Sequence, residues 1–255
     1  MISVCIATYN GEKYIKEQID SILKQLDEND EIIISDNYST DNTLKILEQY
    51  NDKRIKIFQQ KKSINYSRWS KFYSITKNFE NAINKSSGDI ILFSDQDDIW
   101  YDNKVEIIRR DLEIKSCVIS NYNVINDINK IICNKKYIIN PLKNILKVIL
   151  FVPFLGCTMG IQRDLLLKYL PFPKNLLLHD IYIGLLSYIS GNIIFENREL
   201  ISYRYHGFNA TTAGLGKSNN RLFFKIYWRI IFYIMIIFAL LRYRYRIKNK
   251  LTGIK

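Results

Sequence analysis

Three carboxylates follow an apolar run that predicts a buried strand. The run is Ile90–Phe93, and Asp95, Asp97 and Asp98 lie within the next five residues. Carboxylates crowded at a strand end repel one another unless a proton or a cation relieves the repulsion. In an extended chain the side chains of Asp95 and Asp97 would also point to the same face, because side chains alternate along a strand. The cluster therefore predicts a site for a divalent metal ion.

A simpler interpretation gives the cluster no ligand. Asp102 would open a helix, so Asp98 could serve only to shape the turn before it. Acidic pairs separated by one position are also common in solvated loops. The motif alone does not decide between these interpretations, and the elements that position it have to be considered.

The first hundred residues alternate between short apolar runs and amphipathic segments. The apolar runs predict strands at Ile2–Ala7, Glu31–Asp36, Ile55–Phe58 and Asp89–Phe93. The segments between them predict helices around 15–26, 41–50 and 72–83. Strands that are apolar on both faces and alternate with helices indicate a parallel sheet covered on both sides. The predicted fold class is α/β, with a Rossmann-like, mostly parallel sheet flanked by helices.

The second half of the chain is less regular. A strand is expected at Val118–Tyr122 and a helix from about 179 to 190. Two further strands are expected at Asn192–Glu196 and Leu200–Arg204.

Polar segments follow three of the predicted strands. Thr8, Tyr9 and Asn10 come after the first strand, Asp36 ends the second, and the acidic cluster follows the fourth. In parallel sheets, ligands bind beyond the carboxyl ends of the strands, so these segments are expected to converge on one rim. The chain has no Gly-x-Gly-x-x-Gly after the first strand and no Gly-x-x-x-x-Gly-Lys, which argues against ordinary dinucleotide and phosphate-loop sites. A pyrophosphate bound here would need a metal ion.

Four ordered blocks of sequence carry a resemblance to a known family. They are residues 4–11, 34–43 and 94–100, and His179-Asp180 together with residues 203–211. In order and spacing, over roughly residues 1–210, the chain resembles the inverting family 2 glycosyltransferases of the GT-A fold, particularly bacterial rhamnosyltransferase-like members.

The resemblance implies a donor site on the predicted rim. Asp36 would accept a hydrogen bond from a pyrimidine base, and Asp95 would hold the ribose or the metal ion. The family usually carries a Gly-containing loop before the fourth strand. That Gly is absent here, which weakens the case for donor contacts from Lys77 and Asn78. The implied donor-binding set is Thr8, Tyr9, Asn10, Asp36, Lys77, Asn78, Asp95 and His206.

The resemblance also implies a metal site and a catalytic base. Asp97, with Asp95, would bind Mg²⁺ or Mn²⁺ against the donor diphosphate, since hard oxygen ligands suit these ions, and Asp98 would be structural. Asp180 matches the position of the base that takes the proton of the acceptor hydroxyl. For Asp180 taken alone, a helix N-cap is the competing interpretation.

The two histidines of the chain keep alternative roles. His179 stands where the family commonly has Glu, and it would tune Asp180, contact the acceptor or lie in a solvated loop. His206 lies in a Gly-containing turn, where the family often contacts the donor phosphates or the metal ion.

Basic residues are concentrated after Leu200. Eleven of the 37 lysines and arginines lie there with no acidic residue, whereas residues 1–199 carry 26 basic and 25 acidic residues. Arg221, Lys225 and Arg229 recur every fourth residue among apolar positions, which is typical of a helix in a membrane interface. The apolar run 230–241 has twelve residues, against about twenty in a membrane-spanning helix. We therefore expect a GT-A domain at 1–215 and a basic, amphipathic and apolar helical tail at 216–255.

The tail has more than one interpretation. Its segment 242–248 is polybasic, which suits anionic lipid headgroups. Alternatively, a tail helix would pack on the domain or on a second copy in a homo-oligomer. Basic residues interleaved with aromatic ones also describe nucleic-acid binding, but that function leaves the acidic rim without a purpose. We expect a membrane surface and no nucleic acid as partner.

The cysteines and the N-terminus favour the cytoplasm. The four cysteines lie in apolar settings without a close pair or a nearby His, which is typical of reduced core residues and argues against a thiolate metal site. The first residues enter a strand at once and lack the pattern of a signal peptide. We expect a cytoplasmic enzyme, peripheral on the inner face of the cell membrane.

The expected activity follows from the resemblance and the tail together. The enzyme would move a sugar from dTDP-rhamnose or a UDP-hexose to a hydroxyl of a lipid-linked or growing surface glycan. The alternative is a donor-binding pseudo-enzyme that serves as a subunit of a transferase complex.

Overall fold

A computed structural model describes residues 1–60, 68–135, 148, 154–174, 176–207, 209, 233, 234, 237 and 241. The strands are β1 (Ile2–Thr8), β2 (Glu31–Asp36), β3 (Ile55–Gln59), β4 (Ile90–Ser94), β5 (Ile99–Trp100), β6 (Cys117–Ile125), β7 (Ile131–Lys135), β8 (Met159–Gln162) and β9 (Ile193–Arg204). The helices are α1 (Ile15–Leu23), α2 (Thr43–Glu48), α3 (Arg68–Lys85), α4 (Lys104–Leu112), α5 (Arg163–Tyr169) and α6 (His179–Ile189), and a single 3₁₀ turn, Gly156–Thr158, precedes β8.

The four strands predicted in the first hundred residues are confirmed to within one residue at each end. The α/β fold class is confirmed as well. The sequence did not indicate β5, β7, β8 or α5. β5 and β8 have only two and four residues, and β7 and α5 each contain three consecutive apolar residues flanked by polar ones, which shows neither a strand period nor a helix period.

All strands belong to one sheet, with the order β3-β2-β1-β4-β8-β6-β9-β5 and with β7 paired to β6. The half that contains β1 to β4 is parallel, as predicted, and its register sets Thr8 opposite Asp36. The other half is mixed, since β8 runs antiparallel to both of its neighbours while β6 and β9 are parallel. The parallel half therefore delivers the carboxyl ends of β1, β2 and β4 to one edge.

The two strands expected after residue 191 form the single strand β9. Its pairing with β6 changes register where Ser120 lies opposite Glu196 and Asn121 opposite Glu199. Such an irregularity lets a strand continue through polar residues that interrupt its apolar pattern. The continuous strand ends at Arg204, beside the acidic cluster.

Helices cover both faces of the sheet. Buried apolar side chains of α3, α5 and α6 form one core cluster with Cys5, Phe93 and Met159. Side chains of α1, α2 and α4 form the other with Val4, Ile34 and Leu92. Each fully buried side chain of this kind contributes about 1.5–3 kcal/mol, so the two layers hold the strand ends in fixed relative positions.

The predicted tail, residues 216–255, lies outside the described residues except for four positions. Residues 233, 234, 237 and 241 are helical. Tyr233 packs against the core cluster of α3, α5 and α6, whereas Ile234, Ile237 and Leu241 are exposed. In the described part of the chain, every helix is too short or too polar to cross a membrane.

At Gly88 a side chain would meet backbone atoms of β1. An added Cβ would lie 2.7 Å from the backbone nitrogen of Ser3 and 2.8 Å from the backbone carbon of Ile2. We expect Gly88→Ala to lower the free energy of unfolding by roughly 2 kcal/mol in urea denaturation, because backbone atoms of β1 would have to move. Gly207→Ala is the control, since a Cβ there meets nothing within 4 Å. Equal stability of the two variants would contradict the close approach.

Candidate active site

The ends of β1 and β2 form a closed hydrogen-bonded unit. Asp36 is fully buried, and its Oδ1 accepts hydrogen bonds from the hydroxyls of Thr8 at 2.9 Å and Ser39 at 2.6 Å. Its Oδ2 accepts one from the backbone N–H of Ser39 at 2.9 Å. The predicted donor-site residues Thr8 and Asp36 are therefore in direct contact, and Asp36 fixes the loop that follows β2.

The loop after β1 is tied to the acidic cluster by Gln96, which the sequence had not indicated. The backbone N–H of Tyr9 donates to Gln96 Oε1 at 2.8 Å, and Gln96 Nε2 donates to the Tyr9 carbonyl at 3.2 Å. Asn10 has a φ of 49°, in the left-handed region that Asn tolerates, and its Oδ1 accepts from the backbone N–H of Thr40 at 2.8 Å. Tyr9 and Asn10 thus lie at the predicted rim.

Asn78 joins this rim and Lys77 is paired elsewhere. Asn78 is buried, and its Nδ2 donates to the Thr8 carbonyl at 3.2 Å. Lys77 pairs with Glu80 on the same helix, with 2.6 Å between Nζ and Oε2. Successive helical residues point about 100° apart, so these two neighbours face different surroundings. The structure gives Lys77 a structural partner and brings Asn78 to the donor-site residues.

The acidic cluster lies in the irregular connection between β4 and β5. Strand alternation therefore does not apply to it, and the expectation that Asp95 and Asp97 share a strand face is wrong. Instead, ligand atoms of Asp95, Asp98 and Cys157 lie within 4.8 Å of one another. Asp97 lies next to His206, with 2.8 Å between Oδ2 and Nε2. The carboxylates of this turn therefore have two sets of neighbours: Cys157 for Asp95 and Asp98, and His206 for Asp97.

Burial and mutual repulsion raise the pKa values in this cluster. Burial, followed by the charges of Asp98, Asp97 and Asp180, raises the pKa of Asp95 well above its usual range. Burial and the charge of Asp97 raise the pKa of Asp98 to about 7. A cation bound beside these crowded, buried carboxylates would relieve their repulsion.

Lys104 supplies a buried cation beside the cluster. Its Nζ donates to the Cys157 carbonyl at 2.7 Å and lies 4.0 Å from the centre of the Trp100 ring. Burial lowers the pKa of Lys104 to about 7, against the opposing pull of Asp98 and Asp95. The apolar residues around Cys157 predicted only a core position, whereas the structure shows that Cys157 borders the acidic cluster. All four cysteines carry free thiols, and three of them are buried as expected, whereas Cys133 is half-buried.

Asp180 lies in the first turn of α6 and is not its cap. The helix begins at His179, and the residue before it, Leu178, makes no capping bond. Asp180 Oδ1 accepts from the backbone N–H of Ile181 at 2.8 Å, and Oδ2 accepts from that of Gly156 at 3.3 Å. Burial raises the pKa of Asp180 to about 6 in spite of these bonds. A carboxylate with such a pKa can act as a general base near neutral pH.

The two histidines have different surroundings. His179 is buried against Phe79, with 4.2 Å between ring centres, and burial lowers its pKa to about 3. The solvated-loop interpretation of His179 is therefore wrong, and its imidazole is neutral. The ring of His206 stacks on Tyr14 at 5.2 Å, and its Nε2 faces Asp97. Only His206 is joined to the acidic cluster.

The donor atoms at the rim fit a divalent ion. Asp97 and His206, which are 109 residues apart in the sequence, supply an oxygen and a nitrogen. Asp98 Oδ2 is buried and makes no hydrogen bond with the described residues. Carboxylate and imidazole together suit Mn²⁺, and carboxylates suit Mg²⁺. Asp97 and His206 could hold such an ion, as could the neighbouring group of Asp95, Asp98 and Cys157.

Comparison with known proteins gives this site its context. The family model for glycosyl transferase family 2 matches residues 3–170. The chain belongs to glycosyl transferase family 2. It is 31% identical over 215 residues to the Escherichia coli UDP-Glc:alpha-D-GlcNAc-diphosphoundecaprenol beta-1,3-glucosyltransferase WfgD, covering 80% of this chain and 76% of that one. It is 44% identical over 104 residues to the Shigella flexneri dTDP-rhamnosyl transferase RfbG, a match that covers 40% of this chain and only 34% of RfbG.

Solved glycosyltransferase structures share the fold at low identity. Staphylococcus aureus TarS 1-349 in complex with UDP-GlcNAc matches with a TM-score of 0.65 and 20% identity, over 85% of this chain and 61% of that chain. Glucosyl-3-phosphoglycerate synthase from Mycobacterium tuberculosis, in complex with Mn²⁺, UDP and glucosyl-3-phosphoglycerate, matches with a TM-score of 0.56 and 21% identity, over 95% and 79%. These likenesses confirm the GT-A fold, and family membership confirms that the protein is a glycosyltransferase.

The bridge formed by Gln96 predicts a measurable effect on nucleotide binding. We expect Gln96→Ala to weaken UDP binding roughly fivefold in isothermal titration calorimetry with Mn²⁺. The loop at Tyr9 would lose two hydrogen bonds, and ordering it when UDP binds would then reduce the net binding free energy. Gln25→Ala is the matched control, since the Gln25 amide also accepts from Val105 at 3.2 Å and donates to the Ser21 carbonyl at 3.0 Å, between α1 and α4. Equal effects of the two substitutions would contradict the assigned role of Gln96.

Proposed function

We propose that this family 2 enzyme is a metal-dependent inverting glycosyltransferase that moves a sugar from a nucleotide donor to a hydroxyl of a lipid-linked or growing surface glycan. The observation that carries the proposal is the position of Asp180. The backbone N–H of Gly156 donates to its Oδ2 at 3.3 Å, and the next residue, Cys157, has its sulfur within 4.8 Å of carboxylate oxygens of Asp95 and Asp98. A proton acceptor and a cluster suited to a metal diphosphate thus share one rim.

Asp180 supplies the base of the transfer. Its carboxylate takes the proton of the acceptor hydroxyl while that oxygen forms a bond to the anomeric carbon of the donor sugar. The bond from the anomeric carbon to the diphosphate oxygen breaks, and its electron pair leaves with the nucleoside diphosphate on the opposite face. The backbone N–H groups of Gly156 and Ile181 hold the carboxylate oxygens in place during this step.

The opposite end of the site binds the donor. Asp97 and His206 would hold the divalent ion, with Asp95 as a further ligand or as the ribose contact. When bound, the ion supplies charge neutralisation for the departing diphosphate. The nucleotide would bind against Thr8, Asp36 and Asn78. Hydrogen bonds between these residues hold them in fixed positions.

The relatives support a choice of donors and acceptors. RfbG is a dTDP-rhamnosyl transferase, and WfgD takes its glucose from UDP-Glc and uses a diphosphoundecaprenol-linked acceptor. We assign dTDP-rhamnose or a UDP-hexose as donor and a lipid-linked glycan as acceptor on this basis. The basic tail is consistent with an acceptor presented at a membrane.

Replacement of Asp180 tests the proposed function. Asp180→Asn is expected to reduce Mn²⁺-dependent transfer or hydrolysis of dTDP-rhamnose, UDP-glucose or UDP-GlcNAc by roughly 10²- to 10⁴-fold and to leave UDP affinity nearly unchanged. Asp164→Asn is the control, because Asp164 is exposed at the equivalent position of α5. A wild type that turns over none of the donors, or an unaffected Asp180→Asn, would contradict the assignment.

The pH profile of the wild type provides a separate check on Asp180. A base must be ionised, and the pKa of Asp180 is about 6, so kcat is expected to rise with pH through about 6 and to level off above 7. A kcat that is constant between pH 5 and pH 8 would rule out this carboxylate as the base.

We further propose that the protein is cytoplasmic and binds the inner face of the cell membrane through its tail. Ile234, Ile237 and Leu241 are helical, exposed and spaced by three and four residues, so they share one face. Together with the eleven basic residues after Leu200, this face suits an anionic lipid surface.

The full chain is therefore expected to sediment with vesicles containing phosphatidylglycerol, much less with pure phosphatidylcholine, and less at 1 M salt. Serine at Ile234, Ile237 and Leu241 should reduce binding by at least fivefold. The control places serine at Ile128, Ile131 and Ile132, which are at least as exposed on average and lie in the β6–β7 region. Equal losses in the two triple variants would contradict the assignment of the tail face.

A further inference from the structure

Arg204, the last residue of β9, is a buried arginine at the centre of the site. Its side chain is 1% exposed. The guanidinium donates through Nε to the Asp97 carbonyl at 2.8 Å, through Nη2 to Glu17 Oε2 at 2.7 Å and through Nη1 to the Asn126 carbonyl at 3.3 Å. Its backbone N–H donates to Asp98 Oδ1 at 3.0 Å. One residue thus connects β9 with α1, the acidic turn and the turn after β6.

Such burial is costly, which makes a purely stabilising role a poor explanation. A charge taken out of water gains little net stability even when it is paired. The carboxylate that faces this guanidinium, Glu17, is 43% exposed on its side chain, so solvent weakens the ion pair. The contribution of Arg204 is geometric. Its planar guanidinium holds α1, the acidic turn and the turn after β6 in fixed relative orientations.

The segments that Arg204 fixes carry both members of the Asp97–His206 pair. Asp97 is held at its own carbonyl, and His206 follows Arg204 by two residues. Tyr14 acts on the same pair, since its ring lies 4.6 Å from the guanidinium carbon of Arg204 and stacks on the ring of His206 at 5.2 Å. The hydroxyl of Tyr14 points away from this pair and donates to the exposed Asp127 at 3.0 Å.

We infer that Arg204 and the ring of Tyr14 are positioning residues that preset Asp97 and His206 to receive the divalent ion of the donor. The inference rests on the proposed function, in which this pair binds the ion. Groups that hold metal ligands in place commonly change metal affinity by roughly 10- to 100-fold when they are removed, because the ligands then have to be ordered on binding. Neither residue touches the ion or the donor in this role.

Mn²⁺ binding to the full chain tests the inference without any turnover. The free Mn²⁺ signal in continuous-wave EPR, with and without UDP, gives the affinity. Arg204→Lys keeps the charge and loses the fork, and we expect it to weaken Mn²⁺ binding by roughly 10- to 100-fold. Arg54→Lys is the matched control: Arg54 donates to the Leu26 carbonyl at 2.6 Å and pairs with Asp52 at 2.7 Å, away from the acidic turn. It should leave Mn²⁺ affinity unchanged.

A second pair of variants separates positioning from folding. Tyr14→Leu removes the ring beneath His206 and should weaken Mn²⁺ binding about tenfold, whereas Tyr14→Phe keeps the ring and should stay within about twofold of the wild type. If Arg204→Lys fails to fold, this pair decides the question. Wild-type affinity in both Arg204→Lys and Tyr14→Leu, or equal losses in Arg204→Lys and Arg54→Lys, would overturn the inference.

Failure of the proposed function gives a different result. His206→Gln should weaken Mn²⁺ binding more than any positioning variant. If His206→Gln binds Mn²⁺ as the wild type does, the assignment of the metal site is wrong and the inference falls with it. If His206→Gln loses the ion while Arg204→Lys and Tyr14→Leu do not, only the inference is wrong.

Discussion

Repulsion between carboxylates crowded at one edge of the sheet is the constraint on which the rest of the site depends. Burial raises the pKa of Asp95, and three neighbouring carboxylates raise it further. Three of these four carboxylates have different partners that reduce the repulsion. The imidazole of His206 faces Asp97, the backbone N–H of Arg204 faces Asp98, and the backbone of Gly156 faces Asp180. The repulsion that remains is what a divalent ion would relieve.

These different surroundings separate two chemical roles among residues of one type. Asp180 stands at a helix N-terminus, with two backbone donors and a raised pKa, which suits a base that gains and loses one proton. Asp97 stands opposite an imidazole in a turn fixed by a buried arginine, which suits metal binding. In the proposed function, Asp180 serves the acceptor and Asp97 serves the donor diphosphate.

The local sequence pattern predicted the parallel half of the sheet, because β1, β2 and β4 contain continuous apolar runs that end in polar residues. It also placed Thr8, Asp36 and the acidic cluster on one rim. It failed where the structure depends on contacts between distant segments. The pairing of Asp97 with His206 spans 109 residues, and the burial of Arg204 and Lys104 depends on the second half of the sheet. The turn that holds Asp95 and Asp97 is irregular, so strand alternation misplaced them.

Pulsed EPR of Mn²⁺ on the full chain with UDP shows whether an imidazole binds the metal ion. The chain has two histidines, and His179 is buried against Phe79. If Asp97 and His206 hold the ion, the spectrum will show modulation from one coordinated ¹⁴N, which His206→Gln removes and His179→Gln retains. A wild-type complex of Mn²⁺ and UDP that lacks nitrogen modulation would contradict the metal site described above.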